Sequence, residues 1–399
     1  MTSSYHLEDR GKCNKNTCTN ARNVPKLRFK GYNDEWKKVK LKDICIDFIV
    51  PMRDKPKEFN GNIPWCRIED IDGNYFNGTK SNKYVSQETI DKMNLKIIPT
   101  GSVICSCSAS LGTYAINTCP IITNQTFIGL VCSEKISNHF LLNLMNTQTR
   151  KLKIIAGGTT IPYISREKFE EYNIKIPSLP EQEKIASFLT LIDKKIEKQK
   201  KLVVLLKKYK RGLLSAIFSQ KLRFKDDNGN NYPAWEEKRL ENILKIKHGK
   251  SQKEIECNNG KYPILATGGE IGKTNSYLWD KPCVLIGRKG TIDKPQYMDT
   301  PFWTVDTLFY SEVFKENNAK YLYYLFNTIN WKKYDESTGV PSLSAKTIER
   351  IKVTLSINYS EQLAISKILS KFDDKIQQEE FILEKLQNYK KGLLQQMFI

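Results

Sequence analysis

The chain has 399 residues, 40% of them hydrophobic, with 64 Lys and Arg against 44 Asp and Glu for a formal net charge of +20. That length accommodates two or three domains, each with its own core, and no apolar run of about 18 residues offers a membrane span. The composition suits a soluble globular protein, and the positive charge points to a polyanionic partner, because Lys and Arg neutralise phosphates and release counterions.

Residues 1–24 lack an apolar h-region, so they read as a disordered polar extension and not as a secretory signal. A first globular segment is expected over 25–178, opened by "KLRFKGYNDEWKKVKLKDI" (Lys26–Ile44). Within it, Cys105 and Cys107 alternate in "SVICSCSAS" as residues of a buried strand would. The ten cysteines include no CxxC pair, and His6, His139 and His248 lie far apart. Reduced thiols in a cytoplasmic protein are therefore expected, without a metal site. The Gly-bearing loop "CSCSASLGTY" carries Ser106, Ser108, Ser110 and Thr113. Further on come Arg150, then Thr159, Thr160 and Tyr163 in "GGTTIPYIS", then Arg166. Hydroxyls, backbone amides and arginines of this kind suit phosphate contacts, so these residues are candidates for DNA binding.

A long helix is predicted over 179–219. Steps of four and three from Ile185 reach Leu189, Ile192, Ile196, Gln199, Val203, Leu206, Lys210, Leu213 and Ile217. That apolar seam, broken only at Gln199 and Lys210, has the coiled-coil period. The helix is also strongly basic, which reads mainly as a solvated face.

A second globular segment is expected over 220–358, opened by "KLRFKDDNGNNYPAWEEKRLENI" (Lys221–Ile243). "TGGEIGKT" (Thr267–Thr274) has the look of a phosphate-binding loop, but Thr267 stands where glycine is needed and Gly268 comes one place late. A turn is the expected structure there. "GRKGTIDKPQY" (Gly287–Tyr297) occupies the place of the first segment's serine-rich loop and offers Arg288, Lys289, Thr291 and Lys294. Arginine is the commonest specific reader of guanine, and either cation can meet a phosphate. "STGVPSLS" (Ser337–Ser344) answers "GGTTIPYIS" and adds Thr338 and Ser342, followed by Lys346.

A second helix is predicted over 359–399, with the seam Ile365, Leu369, Phe372, Ile376, Glu379, Leu383, Leu386, Lys390, Leu393 and Met397. It is interrupted at the two places where the first seam is. Pro180–Phe218 and Ser360–Phe398 share 14 of 39 positions without a gap. The order globular, helix, globular, helix is thus one unit written twice, and the fold class expected is α+β. Two such helices in one chain can bury their seams against each other. An antiparallel pairing gives the two globular parts an approximate two-fold relation and two separate contacts on one duplex. Because the globular middles differ in sequence, the two half-sites should differ too.

No dinucleotide fingerprint, "HExxH" or "GxSxG" motif occurs, and the Pro-Pro pair of a base-modifying methyltransferase is missing. No catalytic residue, metal ligand or bound cofactor is therefore expected in this chain. A bipartite DNA-binding transcriptional regulator is the alternative that shares its basic charge.

With this pattern assembled, the sequence resembles the specificity subunit of Type I restriction–modification systems. The residues that carry the resemblance are "PSLPEQEKIASFLTLIDKKI", "YKRGLLSAIFSQKLRFKDDNGNNYPAWEEKRL" and the terminal "YKKGLLQQMF". The resemblance implies two target-recognition domains alternating with two constant helices, and a bipartite, asymmetric DNA site. It implies a non-catalytic subunit that recruits two modification subunits, which use S-adenosylmethionine to methylate adenine N6, and two restriction subunits that use ATP and Mg2+. The second repeat departs slightly, opening "NYSEQL" where the first has "SLPEQE".

Overall fold

A computed structural model of the chain describes residues 7–9, 23–108, 110–158 and 162–399. It divides into two compact units. Unit 1 takes the residues up to Lys200 together with Phe381–Ile399, and unit 2 takes Lys201–Glu380.

Unit 1 is built on a six-stranded sheet in the order Cys45–Ile49, Phe127–Cys132, Val103–Ser106, Tyr114–Asn117, Tyr75–Phe76, Ile71–Asp72. A smaller sheet orders Ile122–Thr123, Ile63–Cys66 and Tyr84–Val85. Its helices are α1 (Gln87–Met93), α2 (Asn138–Ile155) and α3 (Arg166–Glu170), and the long α4 (Leu179–Phe218) starts in it. The core forms where Val103, Cys105, Ile128 and Leu130 of the large sheet meet Phe140, Leu141, Leu144 and Met145 of α2. Val103–Ser106 is buried along its whole length, and it has no charged residue to bring to either face.

Unit 2 repeats the plan with a four-stranded sheet, Leu244–Lys247, Leu308–Val313, Cys283–Gly287, Gln296–Met298. A three-stranded sheet orders Gly269–Thr274, Tyr262–Ala266 and Trp303–Thr304. Helices α5 (Ala319–Phe326) and α6 (Ala345–Arg350) follow, and α7 (Tyr359–Met397) begins in this unit. "TGGEIGKT" is confirmed as a turn only at Thr267 and Gly268. The rest is a strand paired antiparallel with Tyr262–Ala266.

The extension expected to be disordered is not so throughout. Residues 7–9 form a strand antiparallel to Leu27–Phe29, whose extended backbone needs partners for its amides and carbonyls. The remainder of that expectation lies outside the described residues. Cys66, Cys132 and Cys283 are free thiols that burial pushes up to about 12, which makes them poor nucleophiles.

Each predicted seam position on α4 and α7 is buried or half-buried. In unit 1, Ile185 and Leu189 of α4 share a core cluster with Leu393 and Met397 of α7. In unit 2, Ile217 of α4 shares one with Ile365 and Leu369 of α7. Within each unit, the start of one helix therefore shares a core with the end of the other. The lysines that break the seam are matched by acids. Lys390 lies 2.5 Å from Asp193 in unit 1, and Lys210 pairs with Asp373 in unit 2.

The repeated motifs at the helix starts have corresponding partners in both units. Arg28 of the first "KLRF" grips Glu181 with two donors, each at 2.7 Å, and Arg223 of the second "KLRF" donates to Glu361 at 3.0 Å. The following glutamines tie the α4 and α7 starts to neighbouring helix caps. Gln182 accepts from the amide of Ser137, the cap of α2, and Gln362 accepts from the amide of Asn318, the cap of α5. At the far end of each helix a phenylalanine meets a tryptophan edge-on, Phe398 with Trp36 and Phe218 with Trp235.

Candidate nucleic-acid interface

In unit 1 the two loops singled out from the sequence are joined by backbone pairing. Ser108 and Gly157 each form a bridge with Tyr163, and the Ile164 amide donates to the Cys107 carbonyl at 2.9 Å. Ser110 is exposed, Ser108 and Thr113 are half-buried, and the Tyr163 ring is 43% exposed. Arg150 is exposed on α2. Thr159 and Thr160 lie outside the described residues.

One expectation needs correction. Ser106 is 2% exposed, and its hydroxyl donates to the Ser108 carbonyl at 2.9 Å, so it shapes the loop and is closed to DNA. It ends a strand buried on both faces, where a small polar side chain turns back to its own loop. Arg166 is exposed, at 2.6 Å from Glu170 and 3.5 Å from Asp47.

Unit 2 makes the equivalent junction. The Gly290 amide donates to Pro341 O at 2.8 Å, the Leu343 amide to Arg288 O at 2.9 Å, and Lys289 bridges with Ser342. Lys289, Lys294, Thr338 and Lys346 are exposed, while Thr291 and Ser342 are half-buried. The Arg288 guanidinium, 39% exposed, pairs with the Asp306 carboxylate. That contact uses Nη1 alone of the guanidinium nitrogens.

Sequence reasoning missed Asp306 and Asp335. One Asp335 carboxylate oxygen accepts from the Ser337 amide at 3.0 Å, the Ser337 hydroxyl at 2.9 Å and the Ser342 amide at 2.9 Å. These bonds hold its carboxylate below the usual range, the Ser342 amide contributing most. An Asp two residues before Ser is a legible turn signal, whereas nothing local marks Asp306. Both loop junctions lead into a short helix capped by serine, Ser165 for α3 and Ser344 for α6.

The turn at Arg288 is tightly built. A Cβ on Gly287 would lie 2.1 Å from the Thr291 carbonyl oxygen. Gly287→Ala should therefore displace residues 288–291 and destabilise unit 2 by about 1–3 kcal/mol, an overpacking cost. Unfolding measurements check this, and an unchanged stability would mean the turn is loosely held.

A family model described as "Type I restriction modification DNA specificity domain" matches residues 33–206 and 233–388, covering both copies of the repeat. The chain belongs to this family. Its membership displaces the transcriptional-regulator reading. Among curated relatives, the Type I restriction enzyme MjaIX specificity subunit of Methanocaldococcus jannaschii is 29% identical over 246 residues, 58% of this chain and 57% of that protein. The chain thus aligns with little more than half the length of that relative. The EcoprrI specificity subunit of Escherichia coli is 24% identical over 342 residues, 79% of this chain and 82% of that one. The crystal structure of a Type-I restriction-modification system S subunit from M. genitalium matches with a TM-score of 0.65 at 20% identity, covering 94% of this chain and 99% of that one. That last likeness is one of fold.

Proposed function

We propose that this chain is the non-catalytic DNA-recognition subunit of a Type I restriction–modification complex, with each unit reading one half of a bipartite, asymmetric site. The observation that carries the reading is the loop junction present in both units. The same backbone pairing presents hydroxyls and Tyr163 in unit 1, but Arg288 and Lys289 in unit 2. A shared scaffold with different side chains is what two different half-sites require, since base edges are read by side chains and phosphates only position the protein. The antiparallel pairing of α4 and α7 belongs to the proposal as a coiled coil that fixes the spacer between the half-sites.

In this reading the catalysis belongs to partners. Two modification subunits use S-adenosylmethionine to methylate adenine N6, and two restriction subunits use ATP and Mg2+. The complex works on cytoplasmic DNA, in keeping with buried free thiols in both units and with the finding that no described helix is long and apolar enough to cross a membrane.

Arg288→Ala tests the assignment of unit 2. In the complex with modification subunits it should cost about 1–3 kcal/mol of binding and relax one base position in one half-site. A uniform weakening would move Arg288 to the phosphates, and relaxation in both half-sites would contradict one unit reading one half.

A further inference from the structure

Outside the loop junctions, positive charge gathers on a two-stranded ribbon of unit 1, Lys37–Lys40 paired antiparallel with Asn173–Ile176. Its register sets Lys38 directly opposite Lys175 and Lys40 opposite Asn173, so these residues share the outward face. Like charges directly opposed across strands are destabilising. Neither Lys38 nor Lys175 has a carboxylate partner among the described residues. Beside them, Lys40 and Lys42 share the single carboxylate of Glu171, while Asp43 is turned to the Lys40 amide.

Unit 2 has the same ribbon, Glu236–Arg239 paired with Lys352–Leu355, and there the like-charged pair set opposite, Arg239 and Lys352, has an acid for each member. Lys352 lies 2.7 Å from Glu237, Arg239 lies 3.3 Å from Glu241, and Lys238 lies 3.3 Å from Glu236. Lysines do protect exposed strand edges from pairing with other chains. The unit 2 ribbon has the same edges and manages with mixed charge, so edge protection does not explain an unrelieved pair in unit 1. An anion set between Lys38 and Lys175 would relieve that pair.

We infer that the outward face of this ribbon, Lys38, Lys40, Lys42 and Lys175, binds the DNA phosphate backbone just outside the half-site read by unit 1. The inference rests on the proposed function. Helix α3 joins the reading loop to the ribbon. It starts after Ser165 and leads directly to Glu171, which Lys40 and Lys42 hold. Five helical residues span about 7.5 Å, so Glu171, with the Lys40 and Lys42 ammonium groups on it, lies within two or three base pairs of the loop at 3.4 Å per base pair. Unit 2 carries no such face, so flanking DNA is gripped on one side only.

The test uses the chain assembled with its modification subunits, on duplexes trimmed at the unit 1 half-site or extended beyond it by about one turn, 10 bp. Lys38→Glu sets opposite charges across the ribbon and leaves it at least as stable as before, so lost binding cannot be ascribed to unfolding. Wild type should gain affinity from extension on the unit 1 side and not on the unit 2 side, and Lys38→Glu should lose that gain. The salt slope of the variant should be shallower by about 2. Between 50 and 200 mM salt the wild type then loses about tenfold more affinity than the variant. Equal slopes and an unchanged gain would overturn the inference, and weakened assembly with those same slopes would identify the occupant as an acidic protein surface instead. Wild type that binds neither duplex would overturn the proposed function itself.

Discussion

Glu181→Ala should destabilise unit 1 by about 3–5 kcal/mol, the cost of breaking a buried ion pair from one side. Arg28 is 2% exposed and Glu181 1%, and the two guanidinium donors reach the two carboxylate oxygens at 2.7 Å each. Removing the carboxylate strands a positive charge that water cannot reach, beside an Arg28 Nη1 that already lacks a partner. Glu361→Ala in unit 2 removes an acceptor for Arg223, for the Trp235 indole at 3.0 Å and for the Ser356 hydroxyl at 2.6 Å. There the arginine side chain is 28% exposed, so the stranded charge is partly solvated and more of the loss comes from unpaired neutral donors. Hydrogen exchange resolved by unit measures each effect separately, since a chain of two units need not unfold in one step. Protection of unit 1 amides unchanged by Glu181→Ala would show that the pair adds nothing.

Phe398→Ala should cost about 3–5 kcal/mol, although the residue is next to last in the chain. Phe398 is 7% exposed, stacks edge-on with Trp36 at 6.1 Å and lies 5.3 Å from the ring of Phe140. Met397 beside it is 1% exposed in the same cluster. Deleting residues 397–399 should therefore remove most of the margin of unit 1, given typical stabilities of about 5–15 kcal/mol. Phe218→Ala should cost less, because Phe218 is only half-buried. Urea unfolding of the variants checks the ranking. Equal and small losses would mean that the helix ends merely rest on the units.

The long helices were legible because their signal is periodic and local. The two seams and their shared interruptions are visible in the residues alone, and the lysines that interrupt them meet acids, Asp193 and Asp373, that also recur in the sequence. The role of "KLRF" was not legible. Its repetition could be seen, but Arg28 and Glu181 are 153 residues apart, and only folding brings them together. The loops were legible as groups, since "IPYIS" and "VPSLS" repeat, but the backbone pairing that joins each to a second loop was visible only in the fold. Individual side chains were not legible. Ser106 turned inward, and Arg288 was found in an ion pair with Asp306, an acid that no local motif marks.

The central claim is that this chain sets a two-part DNA address, one part per unit. Mapping methylated adenines across a host genome with and without the gene tests it most directly. The account predicts a motif that depends on the gene, made of two unlike half-sites around a spacer of fixed length and unspecified bases. A methylation pattern indifferent to the gene, or a gene-dependent motif that is one continuous block, would contradict it.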